Sequence, residues 1–493
     1  MNKNITRLGI AMVVLFVALF AKLNWIQVID KNSLDNNPLN SAQVRRDFNR
    51  PRGSIITADG AVVAQSIRNP DTTSEFKRIR VYPEGALFSQ SSGFFSFRYG
   101  SAGLEKQYND EMTGSTFDQQ VDGFNDLFVS RENIGDVTLS LRKDVQQVAK
   151  DQLGEREGSV VALDPRTGAI LGFWSFPSYD ANTVSSIDKA VSEAAWKELN
   201  AAPGTPMRPH MYQDRYFPGS TFKVVTAGIG IETGAVTDTE PVFPFVTGYT
   251  PQMTNKSIQN FGGQTCGGPL PEILRVSCNS AFAQMGAETI GPVAMVSGAG
   301  KFGFNQTVPI DMPDPVKSVF PTDVGNNPPK LAMASIGQND VQATPLQMAM
   351  VAAAVANGGT IMKPHLMSQI RNAQGEVIQT YKTSKWLQPM SASAAATLSA
   401  DMLGVVQGGT AAGIAIPGCS VGGKTGTAQI GTDPPKSHTW IMGFAGPPGK
   451  PPTVAIAVVV LNQPGSNEAT GGRIAAPIAR AVLQTALAAQ GGC

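Results

Sequence analysis

The chain has 493 residues, enough for more than one domain and at most about three, and 39 Lys and Arg against 38 Asp and Glu leave a net charge of +1. A balance so close to neutrality argues against nucleic acid as the main partner. Lys3 and Arg7 precede an uncharged run from Leu8 to Ala21, which continues past Lys22 through Trp25 and Ile26 to Ile29. That stretch spans a bilayer if Lys22 reaches toward the headgroups and Trp25 sits at the interface. No small-x-small cleavage site follows it. The expectation is an uncleaved signal-anchor over residues 8–29, with residues 1–7 inside and everything after about residue 30 outside.

Residues 31–150 are rich in Asn, Gly, Ser and charge, with short apolar stretches at Ser54–Ile56 and Ala61–Val63. They read as extended, loop-rich structure. The composition changes near Gly158, where Ser159–Pro165 and Gly168–Phe173 read as two strands joined by a Thr167-Gly168 turn. The expected division is therefore an N-terminal region over 30–157 and a second domain over 158–493. Within the latter, helices and strands alternate to about Ala488, including a Gln347–Asn357 helix stopped by Gly358-Gly359 and a Val454–Leu461 strand.

Ser-x-x-Lys occurs four times, beginning at Ser74, Ser140, Ser186 and Ser220, and context separates the four. Only Ser220 follows a Phe217-Pro218-Gly219 turn and leads into Val224, Val225, Ala227, Ile229 and Ile231, which read as a buried helix. Ser220 then sits at or near a helix N-terminus, where developing negative charge is favoured, and Lys223 lies one turn on within reach of its hydroxyl. A serine nucleophile needs a proton acceptor. Lysine can serve if its pKa of about 10.4 falls by roughly three, at a cost of about 4 kcal/mol. Burial supplies part of that, and a second cation, Lys424, supplies more if it lies across the same cleft.

Ser277-Cys278-Asn279 is the sole Ser-x-Asn, and Lys424-Thr425-Gly426 the sole Lys-Thr-Gly. Ser277 is placed to shuttle a proton between Lys223, Lys424 and a leaving nitrogen, and Asn279 to hydrogen-bond substrate backbone and Lys223. Lys424 to Ile430 reads as an edge strand. Gly426 keeps that edge clear for a ligand laid along it. Thr425 and Thr427 would bind a terminal carboxylate with Lys424 nearby, and the N–H groups of Ser220 and Thr427 would form an oxyanion hole worth roughly 3–4 kcal/mol per donor.

An outside location permits disulfides, and the spacing of Cys266 and Cys278 allows a local bridge, whereas Cys419 and Cys493 have no evident partner. None of the three histidines, His210, His365 and His438, is near Cys278 in sequence. A buried thiol or disulfide therefore fits Cys278 better than a nucleophile. His438 has two readings, substrate contact or a structural place beside Trp440.

With these motifs the chain resembles the class B penicillin-binding proteins, the monofunctional peptidoglycan transpeptidases, over essentially its full length. Further landmarks are Arg52-Gly53-Ser54-Ile55 with Asp59-Gly60, Gly103-Leu104-Glu105, Pro177-Ser178-Tyr179-Asp180, Ile336-Gly337-Gln338, Thr344-Pro345-Leu346-Gln347 and Ala356-Asn357-Gly358-Gly359. The chain is most similar to the short actinobacterial type without C-terminal PASTA modules. Thr57-Ala58-Asp59-Gly60 stands where the family often has Asp-Arg-Asn-Gly.

The resemblance implies an α+β fold: a transmembrane helix, a mostly β non-catalytic pedestal or dimerisation domain, and a penicillin-binding, serine β-lactamase-like transpeptidase domain with an antiparallel sheet between helical layers. It implies attack by Ser220 on the penultimate carbonyl of a peptidoglycan stem peptide ending in D-Ala-D-Ala, presented on a lipid-linked precursor. The last D-Ala leaves, and a neighbouring stem's amine resolves the acyl-enzyme. It further implies acylation of Ser220 by β-lactam antibiotics, a partner of the SEDS glycan-polymerase type with other division or elongation proteins, and chemistry without a cofactor or metal. A class A β-lactamase would place a Glu, with Asn four residues later, to activate water; between Asn279 and Lys424 only Glu288 and Glu376 occur, and neither has that Asn. A D,D-carboxypeptidase shares every motif. A penicillin sensor would carry a cytoplasmic output domain, and a scaffold would not need all three motifs.

Overall fold

The computed structural model describes residues 3–26, 48–116, 134–465 and 470–493. Two compact units are present, Met1–Pro51 with Ile67–Ile79, and Arg52–Ser66 with Arg80–Cys493. In the smaller, a helix runs over Lys3–Asn24 with mean hydropathy 2.0 across its most apolar window and no buried residue. Its 22 residues give a length of about 33 Å, which matches a bilayer core. The helix begins earlier than residue 8, so Lys3 and Arg7 ride on its first turns. Gln27–Ile29 of the expected span lie outside the described residues.

The larger unit is organised by a five-stranded sheet. In chain order its strands are β1 (Gly158–Leu163), β2 (Ile170–Phe176), β3 (Ser420–Gln429), β4 (Lys436–Gly446) and β5 (Val454–Pro464). The spatial order is β3-β4-β5-β1-β2, antiparallel throughout. β1 is buried on both faces, as are β4 from Ser437 and β5 up to Val460. Their near-continuous Val, Ile, Ala and Phe sequence reflects this. Helices α1 (Lys143–Leu153) and α4 (Gly471–Ala489) pack together on the sheet, and the wholly buried α3 (Pro345–Ala356) packs on its central strands. The sheet thus lies between helical layers, as expected. Thr344 caps α3 by accepting the Gln347 N–H.

Packing crosses the expected 157/158 boundary in both directions. α1 precedes it, yet the Gln146 amide bonds both backbone groups of Phe173 on β2. A Cβ at Gly172 would lie 2.8 Å from Val145, so the helix sits directly on the strand. Conversely, Met367–Arg371 and Val377–Thr380, from deep in the second segment, extend the N-terminal sheet. Asp136–Leu139 pairs with Met367–Arg371 on one side and in parallel with Ile55–Ile56 on the other. Ile55 and Ile56 pair in turn with Ala64 and Val62.

The N-terminal landmarks converge on one buried carboxylate. Glu105 is fully buried and accepts from Arg52 Nε at 2.8 Å, Arg80 Nε at 2.6 Å and Tyr82 Oη at 3.2 Å. Arg52 also donates to the Glu105 carbonyl at 2.6 Å, and Arg80 to that of Gly53 at 2.8 Å. Burial alone would raise the Glu105 carboxyl, but the two guanidinium groups outweigh it and hold its pKa below the ordinary range. Glu105→Ala leaves two buried cations facing each other. We expect it to cost about 3–5 kcal/mol in chemical denaturation of the protein, and a loss below about 1 kcal/mol would show that the cluster is not holding this region.

Candidate active site

Ser220 lies in a 3₁₀ turn, Gly219–Phe222, that runs directly into helix α2 (Lys223–Glu232). The helix proper starts at Lys223, and the serine stands one turn ahead of it. Three backbone anchors fix the turn: Gly219 N–H donates to Gly337 O at 2.9 Å, Trp440 Nε1 to Phe217 O at 3.0 Å, and Thr221 Oγ1 to Pro218 O at 2.7 Å.

Glycines make this clamp possible. Gly219 has φ +53°, and its missing Cβ would lie 2.9 Å from Thr427 O; a Cβ on Gly337 would lie 2.2 Å from Gly219 O, and one on Gly426 2.8 Å from Pro218 O. The explanation for Gly426 therefore changes. A side chain there collides first with the protein's own serine turn, before any ligand is considered.

Lys223 is fully buried. Its Nζ donates to Ser277 O at 2.7 Å, to Asn279 Oδ1 at 2.7 Å and to Ser277 Oγ at 3.2 Å. Burial, and after it the charge of Lys424, bring its pKa well below the ordinary lysine value. Lys424, equally buried on β3, is brought down to about 7 by burial and donates to Thr425 O at 3.0 Å. Ser277 sits in the left-handed region at φ +60°, a conformation that serine holds only when its surroundings impose it. Asn279 opens the Asn279–Gln284 helix, and its Nδ2 donates to Gln259 O at 3.0 Å.

Ser220, Ser277, Asn279, Thr425, Gly426 and Thr427 all line one cleft of about 1230 Å³. The sequence motifs are thus brought together, with Lys223 and Lys424 buried beside them. β3 is an edge strand, as expected. Thr425 Oγ1 donates to Thr410 Oγ1 at 2.8 Å, so Thr410 joins this end of the cleft without any motif to announce it. Gln259 and Asn260 likewise carry no motif; they matter through pairing with residues about twenty positions on.

His438 does not line the cleft. Its ring meets Tyr216 edge-on at 5.6 Å, its Nδ1 accepts the Asn462 N–H at 3.3 Å, and burial lowers its pKa to about 4. The structural reading of His438 is the one that fits. Cys278 is bonded to Cys266. Cys419, for which the sequence offers no partner, is bonded to Cys493 across 74 residues, because α4 returns the C-terminus to the start of β3.

The penicillin-binding protein transpeptidase domain family matches residues 158–484, and the penicillin-binding protein A dimerisation domain family matches residues 52–137. The chain is 36% identical to the peptidoglycan D,D-transpeptidase PbpA of Mycolicibacterium smegmatis, over 99% of both chains, and equally to PbpA of Mycobacterium tuberculosis. Its structure is similar to that of penicillin-binding protein A from M. tuberculosis as a ceftriaxone acyl-enzyme, with TM-score 0.82 and 34% identity over 90% of this chain and 100% of that one. The penicillin G acyl-enzyme of the same protein gives TM-score 0.80 at 34% identity over 89% and 100%. Geometry and likeness agree: the chain belongs to the penicillin-binding protein transpeptidases, as a serine-type peptidoglycan D,D-transpeptidase homologous to PbpA.

Proposed function

We propose that Ser220 is the acylated nucleophile and Lys223 its general base. The observation that carries this reading is the Lys223 ammonium group, buried, depressed in pKa and tied to both Ser277 and Asn279 beside a cleft that Ser220 lines. Neutral Lys223 takes the Ser220 proton as Oγ attacks the penultimate D-Ala carbonyl. The N–H groups of Ser220 and Thr427 receive the oxyanion. Ser277, hydrogen-bonded to Lys223 at 3.2 Å, passes a proton to the departing D-Ala nitrogen. Asn279 aligns the donor backbone, while Lys424, Thr425 and Thr427 bind the terminal carboxylate along an edge that Gly426 leaves close to the serine turn.

An amine of a second stem then attacks the ester and regenerates Ser220. Glu288, one of the two glutamates between Asn279 and Lys424, is engaged by Tyr249 Oη at 2.8 Å and Gln284 Nε2 at 2.9 Å. β-Lactams would form the same ester. The Lys3–Asn24 helix would anchor the chain with its catalytic domain outside, residues 30–157 serving as pedestal and, with the helix, meeting a SEDS-type polymerase and other division or elongation proteins.

A thioester donor tests the acceptor preference. Raising the concentration of a D-amino acid acceptor should divert product from hydrolysis to transfer and increase total turnover. Hydrolysis indifferent to acceptor would instead make the protein a carboxypeptidase or β-lactamase.

A further inference from the structure

One wall of the cleft is an excursion of chain between α2 and the Ser277 motif. It contains Phe243–Val246, Gly248–Tyr249, Ile258–Gln259 and Cys266–Gly268, paired as two short two-stranded ladders. At its centre lies Asn260, 4% exposed, with every polar group engaged. Its Nδ2 donates to Val246 O at 2.8 Å and Gln264 O at 3.1 Å, and its N–H to Thr247 O at 2.9 Å. Its Oδ1 accepts the Ser280 N–H at 2.8 Å, within the first turn of the helix that Asn279 opens.

We infer that Asn260 is a positioning residue for the acylation machinery, acting through Ser280 and Asn279 to set where the Lys223 amine stands. The chain of contacts is continuous. Asn260 fixes the helix start from one side, and the adjacent Gln259 carbonyl fixes the Asn279 amide from the other. With Nδ2 held on Gln259 O, Asn279 can present only Oδ1 to Lys223. The turn that carries Ser277 at φ +60° is thereby held between Lys223 and the wall. A buried amide making three side-chain bonds across two segments is well suited to this, because each unmade bond would leave a buried group unsatisfied.

This inference rests on the proposed role of Lys223 as base. Its test is penicillin acylation of the full chain across pH, after active-site titration, for the wild type, Asn260→Ala and Asn260→Asp. Asn260→Ala should lower the acylation rate constant per active site by about 10- to 100-fold. It should also move the rising limb of the pH profile to higher pH, because a loosened wall admits water to Lys223 and relieves the burial that depresses it. Asn260→Asp keeps the acceptor for Ser280 but loses both donations and sets a carboxylate against the Val246 and Gln264 carbonyls, so its rate constant should fall at least as far as that of Asn260→Ala; only the rate constant is read for it, because the new charge alone raises the Lys223 pKa. It also decides the matter if the alanine variant does not fold. A merely structural role would reduce the titratable fraction and leave the rate constant unchanged in whichever variant folds, and the pH midpoint unchanged in Asn260→Ala; that result overturns the inference. A wild type that penicillin does not acylate would sink the proposed function itself, which separates the two failures.

Discussion

Ser220→Ala should abolish covalent labelling by a fluorescent penicillin and lower transpeptidation by about 10⁶-fold, the scale on which removing a serine nucleophile acts. The substitution removes one oxygen from a turn whose fixed points lie elsewhere. Gly219 N–H on Gly337 O, Trp440 Nε1 on Phe217 O and Thr221 Oγ1 on Pro218 O are all untouched. Thermal stability should consequently stay within about 0.5 kcal/mol of the wild type, as for substitutions that break no packing or buried bond. The variant should still bind penicillin reversibly, because Lys223, Asn279 and the β3 edge remain in place. Retained covalent labelling would move the nucleophile to another residue. A large loss of stability would instead mean that the Ser220 hydroxyl holds the turn, and the activity loss would then carry no information about chemistry.

The parts of this site that could be read in the sequence are those defined by local spacing. Ser220 and Lys223 are one turn apart, Ser277 and Asn279 flank one residue, and Lys424 to Thr427 follow one strand edge, so each motif carries its own geometry. The depressed pKa of Lys223 was also legible, since an amine at the foot of an apolar helix is desolvated in almost any packing. What the sequence hid depends on pairing between distant segments. Thr410 matters because it meets Thr425, Asn260 because it meets Ser280, and Trp440 because its indole reaches the carbonyl before Pro218. The Cys419–Cys493 bridge and the Met367–Arg371 strand in the N-terminal sheet were concealed for the same reason. Gly426 was legible as a glycine needed for close approach, but the identity of what approaches, the Pro218 carbonyl, was not.

The second large effect concerns the paired lysines. Lys223→Met keeps the length and bulk of the side chain while removing the base, and acylation should fall by about 10²–10⁴-fold, the usual worth of positioned proton transfer. In the wild type only neutral Lys223 can accept the serine proton, so acylation should climb with pH while most Lys223 is protonated and level off once most of it is neutral. Burial is the first reason that this plateau arrives below the ordinary lysine range, and the charge of Lys424 is the second. Lys424→Met removes the second reason alone. Below about pH 7, where Lys424 still carries its charge in the wild type, no neighbouring cation then opposes the Lys223 proton, so it is held more tightly, its pKa rises, and less neutral amine is available there. The rising limb should therefore shift to higher pH in Lys424→Met, beyond whatever uniform loss follows from missing carboxylate binding. Measured as the acylation rate constant of a chromogenic β-lactam between pH 5 and pH 10, a limb that stays where it was or moves to lower pH would show that the two lysines do not share a field, and Lys424 would then serve the substrate alone.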